Sequence, residues 1–200
     1  METILKEGYE KILSIFYTDK SARIHLRDIA RKAKLNENST SRFLNKLEKE
    51  KILTSRKEGN LKKYWLTNND IVYLVLTHFD VIKFNNLPRI KKNAIIYFLQ
   101  EIKEKPLITI LFGSTAKCIS SEKSDIDLLL IVNKKVNTKE AEEYVDSQTA
   151  TKINCIQITL DDFKKELKLK NDKVIQSAIK TGYPITNHIE YYRGICNERI

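Results

Sequence analysis

Apolar positions in the first third of the chain recur at helical spacing, then switch to a shorter strand-like pattern. Ile4, Leu5, Ile12, Leu13, Ile15 and Phe16 predict a first helix of about four turns. Leu26, Ile29, Ala30 and Ala33 form the stripe of a short second helix. Leu35-Asn36-Glu37-Asn38 interrupts it, with Asn36 suited to cap the next helix. That third helix puts Phe43, Leu44, Leu47 and Ile52 on one face and Ser39, Thr40, Arg42, Asn45, Lys46 and Lys49 on the others. "ILTSRKEGNLKKYWLT" reads as two strands turning at Glu58-Gly59-Asn60.

From Asp70 to Phe84 the pattern is helical but apolar nearly all round, through Ile71, Val72, Leu74, Val75, Leu76, Phe79 and Ile82. Such a helix needs covering, either between two domains or in a dimer seam, and the pattern leaves both open. Asn85-Asn86-Leu87-Pro88 breaks the chain, with Pro88 suited to the first turn of a helix that buries Ile90, Ala94, Ile95, Phe98, Leu99 and Ile102. Past Pro106 come the apolar strand "LITILF", a Gly113-Ser114 step, a hydrophilic loop and a second strand, "DIDLLLIV", buried on both faces beyond its first turn. A crossover helix over "NTKEAEEYVDSQTATK" leads to the strand in "TKINCIQITLDDF", and three helical segments come after it, "DDFKKELKLK", "DKVIQSAIKTGYPI" and "NHIEYYRGI".

Composition adds a class and a charge. With 42% hydrophobic and 31% charged residues over 200 positions, the chain is globular, with room for one or two cores. It lacks the run of roughly 18 apolar residues that a membrane span needs, and its amphipathic N-terminus does not read as a signal peptide. Cys118, Cys155 and Cys196 are odd in number and lack metal-site spacing, so reduced thiols and a cytoplasmic setting are expected. Residues 1–66 hold 16 Lys+Arg against 9 Asp+Glu, a net +7 of the chain's +10. That concentration points to an anionic partner for the N-terminal third, nucleic acid first.

The order helix, helix, turn, helix, hairpin over about residues 4–67 resembles the winged helix-turn-helix DNA-binding modules of bacterial and archaeal regulators. The resemblance implies double-stranded DNA as partner, with Ser39, Thr40, Arg42 and Lys46 reading base edges. Arg56, Lys57, Lys62 and Lys63 would contact phosphates from the wing. A protein-interaction module with solvated charges is the alternative. Trp65 is expected to pack against the helices rather than stack on bases.

The candidate chemistry lies further on. Asp125 and Asp127, two apart at a strand entrance, project side by side from one face. Two carboxylates so close repel, and a hard divalent cation relieves them better than a turn does, Mg²⁺ being the usual choice beside phosphates. Gly113 allows close backbone approach, and Ser114 adds a hydroxyl with which a phosphate can be held.

"LFGSTAK" and "KSDIDLLLIV" resemble the paired motif of minimal nucleotidyltransferases in the polymerase β-like superfamily, over roughly residues 90–195. The resemblance implies two Mg²⁺ ions on Asp125 and Asp127, and a nucleoside triphosphate gripped at Gly113 and Ser114, with Lys117 offsetting phosphate charge. An acceptor hydroxyl would attack the α-phosphate and pyrophosphate would leave. Family members often adenylylate a partner toxin, which makes a protein one candidate acceptor. Two departures stand out. Lys117-Cys118 replaces the frequent Arg-Gly, and the third metal carboxylate falls on Asn154, an amide that can ligate but cannot take a proton. Gln157 supplies no charge either, and Asp161 and Asp162 suit the first turn of the next helix.

The expectation is therefore an α+β chain of two domains. Residues 1–69 form a winged helix-turn-helix, 70–87 a linking or dimerisation helix, and 88–200 a nucleotidyltransferase-like domain. Its function would be metal-dependent nucleotidyl transfer tethered to DNA. The alternative is a transcriptional regulator whose second domain is an inactive nucleotide sensor or interaction module.

Overall fold

The computed structural model describes residues 5–117, 119 and 124–197. Ile4 and Cys118, both assigned roles from the sequence, lie outside the described residues. The chain divides into two units, Met1–Phe79 and Asp80–Ile200.

In the first unit, α1 (Glu7–Thr18) buries Ile12, Leu13 and Phe16, and α2 (Leu26–Ala33) buries Ile29, Ala30 and Ala33. The end of α2 is closed by Lys34 in the left-handed region (φ 54°), with the Leu35 N–H donating to the Ala30 carbonyl at 2.9 Å. Helix α3 (Glu37–Lys49) starts where Asn36 Oδ1 accepts the Ser39 N–H at 2.7 Å, the cap expected from the sequence. Strands β2 (Leu53–Glu58) and β3 (Leu61–Leu66) pair in register from Leu53↔Leu66 to Glu58↔Leu61, turning through Gly59 at φ 60°.

Three details differ from expectation. A two-residue strand, β1 (Ile24–His25), pairs with β3 and completes a sheet of order β1-β3-β2. Thr40 is 0% exposed, because it shares the inner face of α3 with Leu44 and Leu47 and donates its hydroxyl to the Asn36 carbonyl. Tyr64, not Trp65, is the buried hairpin aromatic; alternation turns the half-buried indole the other way, where the Arg23 guanidinium lies 4.8 Å from its centroid.

Helix α4 (Asp70–Asn85) contains the division between the units. It buries Val72, Tyr73, Leu76 and Phe79, while Ile71, Leu74 and Val81 are exposed.

The second unit begins its core with α5 (Arg89–Glu101), preceded by Pro88 as its cap residue. Its inward stripe is Lys91, Ala94, Ile95 and Phe98, so the first core position falls on a lysine and Ile90 is 55% exposed. That corrects the expected burial of Ile90: the stripe holds its three-and-four spacing even where the residue filling it is polar. Strands β4 (Ile108–Phe112), β5 (Ile126–Val132), β6 (Ile153–Thr159) and the two-residue β7 (Tyr183–Pro184) make a sheet of order β6-β5-β4-β7. Only the β5–β6 pair is parallel, and the crossover this demands is α7 (Lys139–Thr149).

Ala94, Ile95, Phe98 and Ile102 pack with Leu111, Leu128, Leu130, Val132, Ala141 and Val145 in one core. Ile110, Leu129 and Ile131 point the other way and are equally buried. Helices α8 (Leu160–Leu169), α9 (Lys173–Thr181) and α10 (His188–Asn197) complete the unit against β6 and β4. Tyr192, within α10, donates its hydroxyl to the buried Asp80 carboxylate at 2.7 Å. Among the described residues, no helix is long and apolar enough to cross a membrane.

Candidate functional site

Strand register assembles the site. Asp127, second residue of β5, faces Phe112 at the end of β4 on one side and Asn154 near the start of β6 on the other. Directly after Phe112, the chain turns through Gly113 at φ 72° into α6 (Gly113–Ala116), a single helical turn. A Cβ on Gly113 would stand 2.1 Å from Asp127 Oδ2. Glycine is required here twice, by the backbone angle and by the carboxylate pressed against it.

The two carboxylates converge as the i, i+2 spacing implies. Asn154 Nδ2 donates to Asp125 Oδ2 and to Asp127 Oδ1, each at 3.4 Å, long bonds from one amide to both acids. Asn154, the residue expected at the third-ligand position, is the register partner of Asp127 on β6. Gln157 is committed elsewhere: its side chain accepts the Val136 N–H and donates to the Val136 carbonyl, both at 2.9 Å. Asp161 and Asp162 sit in the first turn of α8. Asp162, paired with Lys165 and hydrogen-bonded to Thr159, has its carboxyl held below the usual range. Ser114 is half-buried beside Gly113, and Lys117 is exposed at the end of the turn.

One residue of the site, Lys91, was not expected from the sequence. It is 1% exposed, and its ammonium donates to Thr115 Oγ1 at 3.4 Å and to the Ser124 carbonyl. Burial pushes its pKa down, while Asp125 and Asp127 pull it up. The signal was present, since Lys91 stands three, four and seven residues before Ala94, Ile95 and Phe98.

Among the described residues no group of three His, Cys, Asp or Glu side chains gathers. The oxygen donors that converge are two carboxylates, with the Asn154 amide nitrogen turned toward both. That set fits Mg²⁺, which commonly takes one or two carboxylates and completes its shell with water and phosphate oxygens.

The N-terminal basic residues are placed less uniformly. Arg42 and Lys46 are exposed on α3, and Arg56 and Lys57 on β2. Ser39 is half-buried and accepts from Arg42 at 3.3 Å, while Thr40 is inaccessible and drops out of the expected readers. Lys62 pairs with Glu48, and Lys63 with Glu58, each at 2.7 Å.

Residues 93–188 match the family described as Polymerase beta, Nucleotidyltransferase. No curated protein matches the chain. Among solved structures, AF1382 from Archaeoglobus fulgidus is 22% identical, covering 40% of this chain and 91% of its own, with a TM-score of 0.35. A toxin–antitoxin with AMP-PNP is 17% identical over 54% of this chain and 86% of its own, with a TM-score of 0.36. A mutant of the toxin–antitoxin MntA-HpeT is also 17% identical, over 54% and 85%, with a TM-score of 0.35. Gly113, Asp125, Asp127 and Asn154 all fall inside the matched segment, and residues 93–188 are accordingly a polymerase β-like nucleotidyltransferase domain.

Proposed function

We propose that the chain transfers a nucleoside monophosphate from a nucleoside triphosphate to an acceptor hydroxyl. The observation that carries this is the close fit of Gly113 to Asp127, with Asp125 within reach of the same Asn154 amide. Asp125 and Asp127 would hold Mg²⁺, two ions by family resemblance, with the Asn154 amide oxygen as a third donor. The metal would supply charge stabilisation at the entering and leaving oxygens. Gly113 and Ser114 would seat the phosphates, and Lys117 would offset their charge from the rim. Asn154 takes no proton from the acceptor, so turnover is expected to be slower than with three carboxylates.

One observation favours a second reading, a nucleotide sensor without turnover: the Asn154 amide nitrogen bridges the two acids instead of adding a third charge. The two readings separate when the protein is incubated with Mg²⁺, α-labelled triphosphates and cell extract. Label on an acceptor, lost with Asp127→Ala, supports transfer; nucleotide binding with no labelled acceptor supports the sensor.

The first unit is read as a winged helix-turn-helix that binds double-stranded DNA, and α4 as its link to the second. Support comes from the +7 charge of residues 1–66 and from Arg42, Lys46, Arg56 and Lys57, all exposed on α3 and β2.

A further inference from the structure

Two segments carry the site, the turn after β4 and the entrance to β5, and one buried side chain holds both. Lys91 donates to Thr115, two residues after Gly113, and to the carbonyl of Ser124, the residue before Asp125. Thr115 in turn donates its hydroxyl to the Asp125 carbonyl at 3.3 Å. A lysine at 1% exposure is costly to bury, and two neutral oxygens offset only part of that cost. Attraction from Asp125 and Asp127 offsets more of it, although burial still outweighs them and holds the ammonium's pKa below its usual value.

We infer that Lys91 is a positioning residue: a built-in cation that steadies the carboxylate pair and locks the Gly113-Ser114 turn for phosphate. This rests on the metal–nucleotide reading above. It also gives Asn154 a context. Two aspartates and one buried ammonium make a polar set with less negative charge to attract a free cation and more positive charge to hold an anion.

The role has a signature of opposite signs. Removing the ammonium should strengthen binding of a lone divalent cation, which Lys91 repels, and weaken binding of a metal-bound polyphosphate, which it attracts and whose seat it braces. Loss of packing alone would weaken both. The test uses the full chain as wild type, Lys91→Met and Thr115→Val. Mn²⁺ alone and Mg²⁺ with inorganic tripolyphosphate are titrated by calorimetry, and folding is checked by a cooperative melt.

For Lys91→Met, Mn²⁺ is expected to bind at least about threefold tighter and Mg²⁺–tripolyphosphate at least about fivefold weaker. Thr115→Val keeps the charge but removes both the Lys91 contact and the hydroxyl bond to the Asp125 carbonyl, so tripolyphosphate should weaken severalfold while Mn²⁺ gains none of the tightening expected of Lys91→Met. It carries the test alone if Lys91→Met does not fold. Wild type that binds both probes, with Lys91→Met weakening both or neither, or with Thr115→Val binding tripolyphosphate normally, overturns the role of Lys91 alone. Wild type that binds neither probe overturns the nucleotide reading and this inference with it.

Discussion

Gly113 and Asn154 mark the two ends of what single residues decide at this site. Gly113 combines φ 72° with a carboxylate 2.1 Å from where a Cβ would lie, so Gly113→Ala must shift either the turn or Asp127. The backbone term alone is about 1–2 kcal/mol. A lowered denaturation midpoint together with lost nucleotide binding is the expected result, and an unchanged midpoint would refute the fit. Asn154→Asp adds a carboxylate at the register partner of Asp127. Divalent cation affinity should rise about tenfold or more, and the metal-free protein should melt lower through added repulsion, with Mg²⁺ reversing the loss. Melting with and without Mg²⁺ checks both signs.

At the scale of elements, the β2–β3 hairpin is tied to α3 through one acid. Glu48 accepts from Lys62 at 2.7 Å and from Ser55. Partial burial pushes its carboxyl up, but those two bonds outweigh it and hold the pKa below the usual value. A carboxyl depressed in the folded state adds stability above its unfolded pKa and loses it as pH falls through the folded one. Glu48→Gln should therefore cost up to about 1 kcal/mol at neutral pH, given how exposed Lys62 is, and nothing in strong acid. Urea melts across that range would show the two curves converging; a constant gap would contradict the pairing.

Much of this scale was legible beforehand. Long stripes such as Ile12-Leu13-Phe16 or Ala94-Ile95-Phe98 announce helices because burial enforces the period. Strands β1 and β7, at two residues each, are too short to show any period, and their pairing comes from tertiary contact. Thr40 and Lys91 escaped because each fills a core position with a polar side chain, satisfied by Asn36 in one case and by Thr115 and Ser124 in the other. The acids of the site were readable because strand spacing alone puts Asp125 and Asp127 on one face. The Lys91 contacts were not, since they join residues 24 and 33 positions apart.

At the scale of the whole chain, charge and chemistry separate into two units, and each reading has its own test. The DNA reading expects duplex affinity to fall steeply with salt, and Arg56→Ala with Lys57→Ala to flatten that slope by about one phosphate contact each. Affinity indifferent to salt, or unmoved by both substitutions, would remove DNA from the account and leave the second unit's chemistry standing. That chemistry is tested most directly by titrating each nucleoside triphosphate into the protein with and without Mg²⁺, beside Asp127→Ala. The expected result is that at least one triphosphate binds only with Mg²⁺, and that folded Asp127→Ala does not bind it. If no triphosphate binds with Mg²⁺ present, or if Asp127→Ala binds as the wild type does, the site holds no metal-bound nucleotide and the central claim fails.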